Sequence, residues 1–176
     1  MKRNLLVLFV SLASAADWSP PAEVRYEDDL VISYVARLDG QHLVVRATVG
    51  QGWHTFALDN VKRAQEKLAG KTALSMDRST EIVATSGLEI EGPWWETSPK
   101  DFSRPELRMF SFGYDQGAVF VAKIHPTGGG TAKLRIRGQA CTESICKNID
   151  VELVVAIPAK PTANDEVKLS ELVQVR

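Results

Sequence analysis

The stretch LVISYVARLDGQHLVVRATVG, Leu30 to Gly50, carries the pattern that decides the fold. Two runs rich in valine and leucine flank the pair Asp39-Gly40. In the second run every other residue from Leu43 to Val49 is apolar, as expected of a strand with one buried face. An Asp-Gly pair between two such runs is typical of a β-hairpin. We therefore predict two antiparallel strands, at residues 30–38 and 42–49.

The rest of the chain continues this pattern of short strands. Glycine-rich turn signals at residues 50–52, 115–117 and 128–130 separate runs of apolar and β-branched residues. Many short strands separated by such turn signals indicate an all-β fold, an antiparallel β-sandwich. The further strands are predicted at residues 53–58, 81–84, 107–114, 118–125, 132–137 and 148–157.

One segment, residues 59–70, departs from the strand pattern. It begins with the N-cap candidate Asp59, contains helix-forming residues and ends at Gly70. Val61, Ala64 and Leu68 fall on one helical face. We predict one short helical insertion packed on the sandwich.

The first residues have the order of a secretory signal. Lys2 and Arg3 precede an apolar run at residues 5–12, and small residues follow up to Ala16. A buried N-terminal strand or helix is the alternative interpretation. The run is shorter than the ~20 apolar residues that span a bilayer. We predict export to the periplasm or the medium, with no membrane span after removal of the signal, although a retained signal would act as an anchor.

Length and charge limit the remaining possibilities. Without Lys2 and Arg3, the 21 basic residues fall to 19 against 22 acidic ones. No basic run remains, which argues against nucleic acid as a partner. About 160 residues suffice for one domain with a real core. We predict a signal peptide at 1–16, one sandwich domain at 17–158, and a linker and tail at 159–176 that ends in a turn of helix or a strand.

Cys141 and Cys146 are the two cysteines of the sequence. We expect Cys141 to close one strand and Cys146 to open the next, where the strand spacing of about 5 Å suits a disulfide. Such a bond would be either a staple worth roughly 2 kcal/mol or a site of thiol-disulfide exchange. The spacing lacks the Cys-x-x-Cys pattern of a helix N-terminus, which argues against a thioredoxin-type centre. A metal site with His54 lacks the usual zinc spacing, so neither metal nor cofactor is expected.

Three segments, in order, resemble the periplasmic N-terminal domain of the DsbD family of thiol:disulfide interchange proteins. They are Gly52-Trp53-His54-Thr55-Phe56, the proline- and aromatic-rich stretch at 93–114, and Gly138-Gln139-Ala140-Cys141 with Cys146. The stretch at 93–114 contains Pro99-Lys100-Asp101-Phe102 and ends in Phe112-Gly113-Tyr114. The resemblance covers roughly residues 30–157.

The resemblance implies an immunoglobulin-like β-sandwich that carries electrons as a dithiol/disulfide pair. The family's membrane-embedded and thioredoxin-like domains have no counterpart in the printed sequence. The implied partners are therefore separate thioredoxin-like or membrane-embedded thiol-disulfide proteins, and the implied activity is protein-disulfide reduction. A non-catalytic binding module with a purely structural disulfide is the rival hypothesis. A metal carrier that uses the dithiol is a third.

The resemblance also assigns roles to single residues. Cys146 matches the cysteine that attacks a partner, and Cys141 matches the one that resolves the mixed disulfide. Phe102 matches a phenylalanine that caps the pair, with Asp101 as the acidic residue beside it. Lys147 replaces a proline that often follows the second cysteine.

His54 and Phe56 match two ring positions beside the disulfide. Period-2 geometry independently places both on one face of a strand. A histidine here could stabilise a thiolate or move a proton, because its ordinary pKa of ~6.5 suits both tasks. A hydrogen-bonded histidine at a strand start is the alternative.

Overall fold

A computed structural model describes residues 18–159 and 167–176. The predicted signal peptide and most of the predicted linker lie outside the described residues. Within the described residues, no helix is both long enough and apolar enough to cross a bilayer.

The described residues form twelve strands and one α-helix. In chain order these are β1 (Ala22–Tyr26), β2 (Asp29–Asp39), β3 (His42–Val49), β4 (His54–Phe56), α1 (Asn60–Leu68), β5 (Glu81–Ser86), β6 (Leu88–Glu96), β7 (Lys100–Asp101), β8 (Phe112–Tyr114), β9 (Gly117–Pro126), β10 (Gly130–Cys141), β11 (Cys146–Ile157) and β12 (Val173–Gln174). Two short 3₁₀ turns occur at Pro105–Leu107 and Leu169–Glu171.

The strands form two sheets. The first has the order β1-β2-β3-β9-β6-β12, and the second has the order β11-β10-β4-β8-β7, with β5 also paired to β10. Every pairing between these strands is antiparallel. The predicted fold class is confirmed: the chain is an immunoglobulin-like antiparallel β-sandwich with one short helical insertion.

The core lies between the two sheets and contains the predicted inner face of β3. Leu43, Val45 and Ala47 are buried there, in one hydrophobic cluster with fully buried Leu134 and Ile136 of β10. Burial of such side chains supplies the main favourable free energy of folding, at about 25 cal/mol per Å² of apolar surface.

The outer side of β3 is also covered, which the alternating pattern did not predict. Val44 is buried and borders a cavity together with Val121. The same cavity is lined by Val167 and Leu169 of the tail. The tail therefore crosses the outer face of the first sheet before it pairs as β12 with β6, through Val173 opposite Glu96.

Several strands differ from the sequence prediction. β6 was not predicted; its pairing with β9 is interrupted by a bulge between Glu91 and Trp94, with Gly92 at φ 73°. The strand predicted at 107–114 contains only β8, since Arg108 adopts a left-handed conformation after the 3₁₀ turn. β1 was missed as well.

The predicted helix is confirmed, with a rotated buried face. Asn60, Ala64 and Leu68 are its buried residues, whereas Val61 is half-buried. The Asp59 side chain does not cap the helix but forms an ion pair with Arg63 one turn later. The helix ends at Ala69 in the left-handed conformation.

Candidate redox site

The two cysteines lie at the end of a long β-hairpin. β10 and β11 pair over twelve residue pairs, and the last pair is Cys141 opposite Cys146. Their Cα atoms are 4.0 Å apart and a disulfide joins them. Thr142 shapes the connection: its N–H donates to the carbonyl of Ile145 at 2.8 Å, and its hydroxyl accepts the N–H of Ile145 at 3.1 Å. The predicted placement of the pair at a strand end and a strand start is confirmed.

The two halves of the disulfide differ in exposure. Cys141 is 3% exposed, whereas Cys146 is exposed to solvent. The sheet order explains this difference, because β10 lies between β11 and β4 while β11 is an edge strand of the described sheet. Of the two cysteines, Cys146 is therefore the more accessible from solvent.

His54 lies directly beside the buried cysteine. In the pairing of β4 with β10, His54 is opposite Cys141 and Thr55 is opposite Ala140. The His54 ring meets the ring of Phe56 edge-to-face at 5.3 Å between centroids. Phe56 is fully buried, so it supports His54 from below and does not itself reach the solvent side of the site.

A second hairpin, formed by β7, β8 and the turn between them, brings Phe102 to His54. The Phe102 N–H donates to the carbonyl of Ser111 at 2.9 Å. Phe102 is half-buried, and the centroid of its ring lies 5.1 Å from the centroid of the His54 ring. We refer to residues 100–114 as the cap hairpin.

Asp101 lies at the end of β7, next to Phe102. Its carboxylate accepts the N–H of Ser103 at 2.9 Å, and hydrogen bonds from Ser103 hold its pKa below the usual range. The residue is exposed and is not among those that line the cavity at the disulfide. Its role in the structure is to shape the turn after β7.

A cavity of about 380 Å³ opens beside the disulfide. It is lined by His54, Asp77, four residues of the cap hairpin (Phe102, Arg104, Met109 and Ser111) and residues 141–146 of the cysteine hairpin. The structure thus brings Cys141, Cys146, His54 and Phe102 together, with Phe56 behind His54 and Asp101 outside the cavity.

Burial lowers the pKa of His54 below its ordinary value, and the positive charge of Arg104 acts in the same direction. The carboxylates of Asp77 and Asp115 oppose this shift. The imidazole is therefore mostly neutral at pH 7 and can accept a proton from a neighbouring thiol.

Asp77, Arg104 and Glu143 are charged residues of the cavity that were not predicted as site residues. Asp77 lies between α1 and β5, in a segment without strand or helix periodicity. It reaches the cavity through contacts with residues 17 and 34 positions away, which no local pattern encodes. Across the described ranges, no group of three or more His, Cys, Asp or Glu residues is arranged to hold a metal ion.

No model of a protein family matches the chain, and no curated protein matches it in sequence. Among solved structures, the chain is similar to the N-terminal domain of DsbD from Neisseria meningitidis in its reduced form. The identity is 12%, the match covers 74% of this chain and 86% of that chain, and the TM-score is 0.42. The sequence motifs resemble the same family.

Proposed function

We propose that this protein exchanges electrons with partner proteins through Cys141 and Cys146, as an exported thiol:disulfide interchange domain. The observation that carries the proposal is the unequal exposure of the two cysteines, with the buried one beside a neutral histidine. In exchange through a mixed disulfide, an accessible sulfur bonds to the partner first, and a second sulfur then attacks to release the partner.

A purely structural bond explains this arrangement less well. The hairpin is already held by twelve residue pairs. In the chain-entropy model, closing a loop of about six residues contributes only about 2 kcal/mol. A staple also has no need of a cavity that opens beside the disulfide.

In the reduced state, the thiolate of Cys146 attacks a partner disulfide. The sulfur of Cys146 bonds to one partner sulfur, and the other leaves as a thiolate that takes a proton from water. Cys141 gives its thiol proton to His54 and attacks the Cys146 sulfur. This step re-forms the disulfide and expels the second partner thiolate, which is protonated in turn. Two electrons and two protons pass to the partner.

The electron donor would be a separate thioredoxin-like or membrane-embedded thiol-disulfide protein, and the compartment would be the periplasm or the medium. The cap hairpin would shield the pair between encounters, with Phe102 against His54.

Single-cysteine variants test the proposal. Cys141→Ala keeps the exposed thiol and should form a stable mixed disulfide with an oxidised thioredoxin-like protein, detected by mass spectrometry. Cys146→Ala keeps the buried thiol and should form much less. The wild-type pair should equilibrate with glutathione buffers. A potential well below about −300 mV, together with no mixed disulfide from either variant, would identify a structural bond and overturn the proposal.

A further inference from the structure

We propose that Asp77, carried to the redox cavity by the helical insertion, is a positioning residue that acts on Cys141 through His54. This inference rests on the proposed function. It assigns a task to the segment between β4 and β5, which no sequence motif explained.

The backbone of Asp77 is held by a buried asparagine of α1. Asn60 is 0% exposed, and its Nδ2 donates to the carbonyl of Asp77 at 2.9 Å. The Asn60 Oδ1 accepts the N–H of Phe112 at 2.7 Å. One side chain therefore ties the insertion to the cap hairpin.

The side chain of Asp77 is held as well. The buried Ser111 hydroxyl donates to Asp77 Oδ2 at 3.0 Å. Asp77 and Ser111 both line the cavity that contains His54 and Cys141. The Asp77 carboxylate therefore has a defined position, and it lines the same cavity as the His54 imidazole.

Four charged groups are relevant to His54. Asp77 and Asp115 raise its pKa, and Arg104 lowers it. Glu143 lines the same cavity. Asp115 lies outside the cavity lining and is paired with Lys100 at 2.6 Å, so its charge is largely compensated. Asp77 is the carboxylate that both lines the cavity and acts on His54.

In this position, the negative charge of Asp77 favours proton transfer from Cys141 to His54. When Cys141 gives its thiol proton to His54, the imidazole becomes a cation, which a nearby carboxylate stabilises. The Cys141 thiolate then displaces the partner sulfur from Cys146, and the imidazolium returns the proton to the leaving thiolate.

The test is Asp77→Asn, with Asp115→Asn as the matched control. An asparagine still accepts the Ser111 hydroxyl, and the backbone carbonyl still accepts Asn60, so the fold should survive. The pKa of His54 is measured by NMR titration of the oxidised protein. The resolving step is measured as the release of glutathione from its mixed disulfide with Cys146.

We expect Asp77→Asn to lower the pKa of His54 and to slow the resolving step at pH 7 severalfold, because the imidazolium loses a stabilising charge. Asp115→Asn should have a smaller effect on both, and Asp77→Glu should restore both in part. The first step, followed in Cys141→Ala, should not change when Asp77→Asn is added.

The outcomes separate this inference from the function on which it rests. A normal resolving rate and an unchanged His54 titration in Asp77→Asn, with exchange intact in the wild type, would overturn the inference alone. An equal effect of Asp115→Asn would also overturn it. Absence of any exchange by the wild-type protein would overturn both.

Discussion

The ring of Phe102 lies against the ring of His54, with 5.1 Å between centroids and 32° between planes. His54 is in register with Cys141, so this contact links the cap hairpin to the strand beside the disulfide. The cap hairpin and the strand beside the disulfide are therefore in contact through one pair of rings.

Replacing Phe102 with alanine should open the cavity. We expect Phe102→Ala to accelerate reduction of the disulfide by dithiothreitol severalfold, because the side chain that narrows access is removed. The rate can be followed by quenched alkylation and mass spectrometry. Leu107→Ala is the control, since Leu107 lies in the turn of the same hairpin, is 43% exposed and does not line the cavity. Equal rates in both variants would show that Phe102 is not a cap.

Reduction of the disulfide should leave the protein folded. The loop that it closes is short, and eleven further residue pairs join β10 and β11. We expect the free energy of unfolding to fall by about 2 kcal/mol on reduction, as the chain-entropy model predicts for this loop. Urea titrations of the oxidised protein and of the double variant Cys141→Ala/Cys146→Ala measure the difference. Unfolding on reduction would instead favour the structural role.

Stability should decrease as the pH rises through neutrality, because of Glu96. Burial raises the pKa of this fully buried carboxyl from 4.5 to about 7, and neighbouring Asp59 adds to the shift. The native state thus binds a proton more tightly than the unfolded state. The resulting stabilisation is complete below about pH 4.5 and is lost as the pH rises through about 7.

Glu96→Gln should remove this pH dependence. The amide oxygen can still accept the N–H of Leu58, which now donates to Glu96 at 2.9 Å. The rise in the pKa of Glu96 from 4.5 to about 7 corresponds to a change of about 3 kcal/mol in the free energy of unfolding. Glu91→Gln is the control, because Glu91 is exposed on the same strand. Urea unfolding at pH 5 and pH 8.5 measures the free energy of unfolding at the two pH values. If this free energy falls as much in Glu96→Gln as in the wild type, the pH dependence does not come from Glu96.

Asn60→Ala should destabilise the protein strongly. The change leaves the N–H of Phe112 and the carbonyl of Asp77 without their partner in the interior. We expect a loss of about 2–4 kcal/mol of unfolding free energy, whereas Asn148→Ala on the exposed side of β11 should change little. A small effect of Asn60→Ala, measured by urea titration, would mean that water replaces the asparagine.

Local patterns were sufficient to predict much of this protein. Alternation of apolar residues encodes a strand because successive side chains point to opposite faces. The Asp39-Gly40 turn encodes a hairpin, and β2 and β3 pair across it in the structure. Cys141 and Cys146 were close enough in sequence for their placement at facing strand ends to follow from the hairpin pattern.

The tertiary structure alone decided the remaining features. β6 contains a Gly-Pro bulge and is recognisable only through its pairing with β9, and the tail becomes a strand only by pairing with β6. The difference in exposure between Cys141 and Cys146 comes from which strand lies at the sheet edge. Asp77 meets His54 at one cavity through Asn60 and Ser111. These features depend on contacts between residues far apart in the chain, whose partners are chosen by packing and not by any periodicity along the sequence.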